Sequence, residues 1–134
     1  MAQWIQEDSR MYSQRNCLVI DDDPVALKLA ASCCHAMGLK VYVADTPTEA
    51  MDELKRRRYD LLVVDHDVYG IAGYEILDHL MAHLKAAQLV VFTADTSERT
   101  RVLYEARGAS EFLYKPLSKP AIHFKLKTLL DRVA

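Results

Sequence analysis

The chain has 134 residues, 17 Lys+Arg against 19 Asp+Glu, and a formal net charge of −2. That length predicts one domain able to fold on its own core, and a composition of 51% hydrophobic and 27% charged residues is globular rather than disordered. No segment approaches the roughly 20 apolar residues of a membrane span, MAQWIQEDSR carries no secretory h-region, and the near-neutral balance argues against a nucleic-acid binder at whole-chain level.

The charge is unevenly spread. Residues 1–96 carry 9 basic and 15 acidic side chains, and residues 97–134 carry 8 basic and 4 acidic. Such asymmetry predicts faces of opposite sign. The three cysteines, Cys17, Cys33 and Cys34, are odd in number and two are adjacent. That is neither a disulfide framework nor zinc-site spacing, so they are predicted to be buried free thiols in a reducing, cytoplasmic compartment.

Residues 1–16 are polar and lie outside the periodic pattern; they are predicted to be an arm that Trp4 and Ile5 could dock. The first strand is 17–20 (CLVI), followed by Asp21-Asp22-Asp23-Pro24 and a helix over 25–37 with Gly38 behind it. A second strand, 40–44 (KVYVA), leads to a helix opened by Thr46-Pro47-Thr48-Glu49. The third strand, 60–64 (DLLVV), stops at Asp65 and is followed by a loop over 66–73. A helix over 74–85 carries the stripe Ile76, Leu77, Leu80, Met81 and Leu84. The fourth strand is 88–92 (QLVVF), its helix 97–107 closed by Gly108. The fifth strand is 110–114 and the last helix 118–133. Strict β–α alternation with continuously apolar strands predicts a doubly wound, five-stranded parallel sheet of (βα)5 type covered by helices on both faces.

In such sheets ligands bind beyond the carboxyl ends of the strands. The residues just past those ends are Asp21, Asp22 and Asp23, then Asp65, Thr93, and Lys115-Pro116. Clustered carboxylates repel one another unless a hard divalent cation joins them. A carboxylate can also attack phosphorus, and phosphoryl transfer chiefly needs positioning and charge neutralisation. Mg²⁺ (or Mn²⁺) and Lys115 would supply the positive charge, and the Thr93 hydroxyl could donate to a phosphoryl oxygen.

This set resembles the receiver domain of two-component response regulators, the CheY-like family, over residues 17–134. The matching stretches are LVIDDDP (18–24), DLLVVD (60–65), VFTA (91–94) and YKPLS (114–118). The spacings agree too: 43 residues from Asp22 to Asp65, 28 to Thr93 and 22 more to Lys115. The resemblance implies a flavodoxin-like strand order of 2-1-3-4-5. It implies Asp65 as phosphoacceptor for a histidine kinase or histidine phosphotransfer protein, and Asp21 and Asp22 as Mg²⁺-holding acids, Asp22 the more direct. The Asp67 main-chain carbonyl would be a further metal ligand, Thr93 the switch hydroxyl, Lys115 the phosphate-pairing lysine and Phe112 the switch aromatic. The Lys115–Pro116 bond is expected to be cis.

Three departures accompany the match. Receivers commonly have Pro four and Asp seven residues beyond the phosphoacceptor; here those places hold Tyr69 and Ala72, whereas Gly73, at +8, agrees. Asp67 and Asp95 each stand two residues beyond a site residue, where they would set the phosphoryl lifetime. Asp65-His66-Asp67 also looks like the first motif of haloacid-dehalogenase-type phosphohydrolases. That family's metal-binding acid pair follows its lysine, however, and after Lys115 only Asp131 is acidic.

The remaining features have plain readings. Lys55-Arg56-Arg57-Arg58 is predicted to be a solvated helix end, His66 a solvent-facing loop residue, and His79 with His83 an unmetallated pair. The basic residues Arg99, Arg101, Arg107, Lys119, Lys125, Lys127 and Arg132 are expected on the fourth and fifth helices. In receivers the fourth helix, fifth strand and fifth helix form an output or dimerisation face, so a target with an acidic patch, or a phosphorylation-dependent homodimer, is implied. The sequence thus reads as a non-enzymatic phosphoacceptor of a phosphorelay, acting by protein contact without membrane or nucleic acid. No output domain is expected after the fifth helix; the receiver of a longer hybrid kinase or regulator and a phosphate-independent interaction module are the alternatives.

Overall fold

The computed structural model describes residue 12 and residues 14–80 and 87–133. Five strands, β1 (Asn16–Ile20), β2 (Lys40–Ala44), β3 (Leu61–Val64), β4 (Gln88–Thr93) and β5 (Ala109–Tyr114), form one parallel sheet in the order β2-β1-β3-β4-β5. The helices between and after them are α1 (Pro24–Ala36), α2 (Pro47–Arg56), α3 (Gly73–His79), α4 (Glu98–Glu105) and α5 (Lys119–Val133). The expected order and parallel pairing are therefore present.

Local chemistry starts these helices where the sequence placed them. Asp23 caps α1, its side chain accepting from the Val25 N–H at 3.1 Å, with Pro24 in the first turn. Thr46 caps α2 by accepting from the Glu49 N–H at 3.1 Å. Ser97 caps α4 by accepting from the Thr100 N–H at 3.3 Å.

Alternation along each strand divides the interior into two cores, one on each face of the sheet. Cys17, Val19, Leu61, Val63, Val90, Phe92 and Leu113 face α1 and α5, against Ala30, Cys33, Cys34, Ile122, Leu126 and Leu130. Leu18, Ile20, Leu62, Val64, Leu89 and Val91 face the other three helices, against Ala50, Leu54, Ile76, Leu77 and Tyr104. All three cysteines are buried and unbridged. One irregularity interrupts the ladder: between Leu89 and Val90 the partner on β5 steps from Ala109 to Glu111, leaving Ser110 as an extra residue.

Several boundaries differ from those the sequence predicts. The 66–73 loop contains a two-residue antiparallel hairpin, Asp67–Val68 with Ile71–Ala72. The third helix begins at Gly73, and Leu80 is its C-cap; the Met81, His83 and Leu84 part of the prediction lies outside the described residues. Arg107 lies past the end of α4 and pairs with Asp78, with a contact of 2.7 Å. In the basic run at the end of α2, Arg57 is not simply solvated: its guanidinium lies 3.9 Å from the Tyr42 ring centre and pairs with Glu53.

The packed unit also begins earlier than the first strand. Trp4 and Ile5 lie outside the described residues, but Tyr12 is 2% exposed and belongs to the α1/α5 core. Its hydroxyl donates to Asp131 near the end of α5, and Arg15 lies over its ring.

Candidate functional site

The site is built by the parallel ladder running one step past each strand. The Asp21 N–H donates to Ala44 O at 3.1 Å, Asp65 N–H to Ile20 O at 2.9 Å, and Lys115 N–H to Thr93 O at 2.9 Å. Three functional side chains therefore leave the sheet edge from backbone held in register. Asp21, Asp22 and Asp65 come together there, each offering a carboxylate oxygen within 4.8 Å of the others. Lys115 closes the group, its Nζ 2.8 Å from Asp21 Oδ2 and 3.6 Å from Asp65 Oδ2. The Lys115–Pro116 bond is cis, as expected.

The electrostatics follow from burial and neighbours. Burial and the adjacent Asp21 charge push the Asp65 carboxyl above its ordinary range. The Lys115 charge, the Thr93 hydroxyl and the His66 backbone N–H oppose that rise. For Lys115, burial disfavours the ammonium, but the hydrogen bond and charge of Asp21, then the charge of Asp65, outweigh it and the net shift is upward. Asp21 is 2% exposed and fixed on both sides, one oxygen accepting from Asp23 N–H at 2.9 Å and the other from Lys115. Thr93 is buried beside the group, its Oγ1 accepting from Asp95 N–H at 3.2 Å.

The flanking residues are arranged less simply than the sequence suggests. His66 is not solvent-facing. Its ring stacks on Tyr74 at 6.0 Å, meets Tyr104 edge-on at 5.6 Å, and places Nε2 3.9 Å from Asp95 Oδ2. Tyr104 is fully buried, and burial pushes its phenol well above the ordinary range. Asp95 is committed to the start of α4, with Oδ1 accepting from Ser97 N–H at 2.8 Å and Oδ2 from Thr100 Oγ1 at 2.6 Å. Those bonds hold its pKa down to about 2. Phe112 is half-buried against the α2–α4 core and stacks on Tyr114 at 6.3 Å.

Asp67 is exposed on the hairpin, and its carboxylate is not among those that converge. The second acid of the D-x-D reading is thus not gathered with the first in the acidic cluster.

The hairpin is fastened at both ends. Val68 is fully buried. At Gly73 a Cβ would meet Asp65 O at 2.5 Å and the Tyr104 hydroxyl at 2.6 Å, so the chain passes the phosphoacceptor candidate too closely for any side chain. At the tip, Tyr69 (φ +51) and Gly70 (φ +78) both take the positive φ that a two-residue type I′ connection requires. A non-glycine residue there costs on the order of 1–2 kcal/mol. The Tyr69 N–H donates to Asp22 Oδ2 at 2.9 Å, and a hydrogen bond to a charged acceptor, about 1.5–3 kcal/mol, offsets that cost. The reading from sequence missed this contact, since Tyr-Gly between Val68 and Ile71 is not among the usual two-residue hairpin signals. Nothing in the spacing of His66, Tyr74 and Tyr104 announces their cluster.

Residues 17–127 match the family model of the response regulator receiver domain. The chain belongs to that family. Among relatives, the autoinducer 2 sensor kinase/phosphatase LuxQ of Vibrio parahaemolyticus is 28% identical over 121 residues, covering 86% of this chain and 14% of the relative. The probable transcriptional regulatory protein TcrX of Mycobacterium tuberculosis is 24% identical over 115 residues, covering 86% and 49%. The chain therefore spans half or less of these two curated relatives. Two receiver structures share its fold. A CheY-like receiver from Methanospirillum hungatei has a TM-score of 0.80 at 22% identity, covering 88% of this chain and 94% of that one. The chemotaxis regulator CheY4 of Vibrio cholerae has a TM-score of 0.75 at 24% identity, covering 90% and 98%. The receiver family is a signalling domain, and the relatives this chain matches include a regulator and a sensor kinase. No helix among the described residues is long and apolar enough to cross a membrane.

Proposed function

We propose that this receiver takes a phosphoryl group onto Asp65 from the phosphohistidine of a histidine kinase or histidine phosphotransfer protein. The observation that carries this is the gathering of Asp21, Asp22 and Asp65 around one ammonium, Lys115, at the carboxyl edge of the sheet. An Asp65 oxygen attacks phosphorus and the P–N bond to the donor imidazole breaks. The imidazole leaves with its electron pair and takes a proton from solvent, and an acyl phosphate remains. The upward push on Asp65 makes its ionised oxygen a stronger nucleophile, while Lys115 and Thr93 help keep it ionised.

The donor set fits Mg²⁺, with Mn²⁺ as a substitute. The ligand atoms are all hard oxygens, and three carboxylates against one ammonium leave an excess of two negative charges. Asp22, Asp21 and Asp65 would hold the ion with the Asp67 carbonyl, and the ion would neutralise charge on the transferring phosphoryl oxygens. Lys115 would then pair with the phosphoryl group, and the Thr93 hydroxyl would turn toward it. Phe112 would follow by repacking, shifting an equilibrium between two conformations.

The output face we assign is α4, β5 and α5, with residues 17–134 as the receiver unit and 1–16 preceding it. Part of its basic charge is spent internally: Arg101 lies 3.6 Å from Glu98 and 3.3 Å from Glu105, and Lys127 lies 3.5 Å from Asp131. Arg99, Lys119, Lys125 and Arg132 are exposed beside them and suit a target with an acidic patch or a phosphorylation-dependent second copy. The reducing environment that suits three buried thiols supports a cytoplasmic setting.

Labelling by acetyl phosphate with Mg²⁺ tests the assignment. Wild type should take up one phosphoryl group, and Asp65→Asn none. Label retained in Asp65→Asn would sink the choice of residue, and no label in either protein would favour a phosphate-independent interaction module.

A further inference from the structure

We propose that the Tyr69 backbone N–H is a positioning donor for Asp22, so that the Asp67–Ala72 hairpin arranges the acidic cluster before a metal ion arrives. The inference rests on Mg²⁺ binding at Asp21, Asp22 and Asp65. Among the described residues Asp21 and Asp22, the first two of the three acids following β1, are held very differently. Asp21 is gripped by Lys115 and by the Asp23 N–H. Asp22 is more exposed, and its described hydrogen bond comes from Tyr69 N–H at 2.9 Å. Without that donor, the carboxylate would be free to rotate away from the cluster. With it, Oδ2 is tied to the hairpin and Oδ1 is left for an ion. Donors behind a ligating carboxylate act in this way, and their loss typically weakens metal affinity about 10–100-fold.

The contact requires a residue with a backbone N–H at this position. Proline, which receivers commonly have at this point, could not donate, because it has no N–H and cannot adopt φ +51. The hairpin is also a sound lever. Its base is pinned through Gly73 against the Asp65 carbonyl and through the buried Val68, and its tip reaches Asp22. One short element therefore links the Asp65 main chain at its base to the Asp22 carboxylate at its tip. Tyr69 itself projects into solvent, 60% exposed, so the contribution is that of the main chain.

The test separates N–H from side chain. Replacing Tyr69 by its α-hydroxy analogue, through nonsense suppression, exchanges the N–H for an ester oxygen, and Mg²⁺ affinity is read by calorimetry. Affinity should fall about tenfold for the ester, and fall likewise for Tyr69→Pro. Tyr69→Gly retains the N–H and removes the left-handed penalty, so it should bind at least as tightly as wild type. Amide exchange at Tyr69 in ion-free protein should be slowed well below the unfolded rate. An ester that binds Mg²⁺ like wild type would overturn the positioning role, as would a Tyr69→Gly loss equal to that of the ester, or unprotected exchange. Failure of wild type itself to bind Mg²⁺ would overturn the metal assignment beneath it, a result distinct from the others.

Discussion

Asp65 sits where its surroundings work against its charge. Burial and Asp21 both disfavour its ionised form, and Lys115 compensates only in part. In metal-free buffer at pH 7, Asp65→Asn should therefore raise the Tm by roughly 2–8 °C, the shift that about 1 kcal/mol produces in a small domain. Differential scanning calorimetry reads this directly, and a lowered Tm would mean that the Lys115 contact outweighs the strain. Asp95 behaves oppositely. Its folded pKa of about 2 lies below the ordinary value, so its contribution is complete above the unfolded pKa of about 4. That contribution is lost as pH falls from about 4 to 2. Asp95→Ala should lose on the order of 0.5–1 kcal/mol at pH 7, modest because the carboxylate is partly solvated, and match wild type near pH 2. Urea titrations across that range check both the size and the window. At this scale the sequence was legible where chemistry announces itself: Asp21, Asp22, Asp65, Thr93 and Lys115 stand at strand ends. His66 and Tyr69 were not legible, since their partners are set by how a loop lies over the sheet.

Elements were legible in kind and less so in extent. Asp23, Thr46 and Ser97 mark helix starts because a short polar side chain satisfies N–H groups that the helix leaves open. The strands were legible because buried parallel strands must be apolar on both faces. The loop after Asp65 was harder, since a four-residue pairing carries almost no periodic signal and its turn places tyrosine where glycine or asparagine is usual. Gly73 marks the junction of that loop with α3. A methyl group there would collide with the Asp65 carbonyl, the Tyr104 hydroxyl and Val64 Cγ1, the first of which is backbone. Gly73→Ala should therefore cost about 1–3 kcal/mol and displace α3. A denaturation midpoint within 0.3 kcal/mol of wild type, a generous bound for experimental error, would show that the loop yields freely.

The whole molecule has two cores, and its amino-terminal boundary belongs to one of them. Tyr12 fills the α1/α5 side and joins β1 to the far end of the last helix through Asp131. The hydrogen bond from the phenol, helped by the charges of Lys127 and Arg15, holds that carboxylate below its usual range. A chain beginning at Cys17 should therefore melt on the order of 10 °C lower than the full chain, since deleting a buried aromatic ring costs about 3 kcal/mol or more. Tyr12→Ala in the full chain should reproduce most of that loss, and an unchanged midpoint in both would mean that the fold closes at β1. Alternation made the layered parallel sheet readable and the family resemblance supplied its strand order; the anchoring of Tyr12 was not readable, because a single tyrosine in a polar stretch has no period.

The extra residue in β5 has a further consequence. Side chains along a strand alternate by strict parity, so one inserted residue inverts everything after it. Ser110 is that inversion. Counted from it, Leu113 falls among the α1/α5 residues and Phe112 among those under α4. Were the same sequence paired straight through without the bulge, the two would trade sides, and Tyr114 instead of Lys115 would stand one step past the partner of Thr93. The ammonium that meets Asp21 and Asp65 is thus placed by an odd-numbered insertion at the opposite end of its strand, remote from any phosphate. Deleting Ser110 would straighten the strand and leave Glu111 to Tyr114 on their present partners, so the bulge is where the chain takes up one residue before it reaches the site.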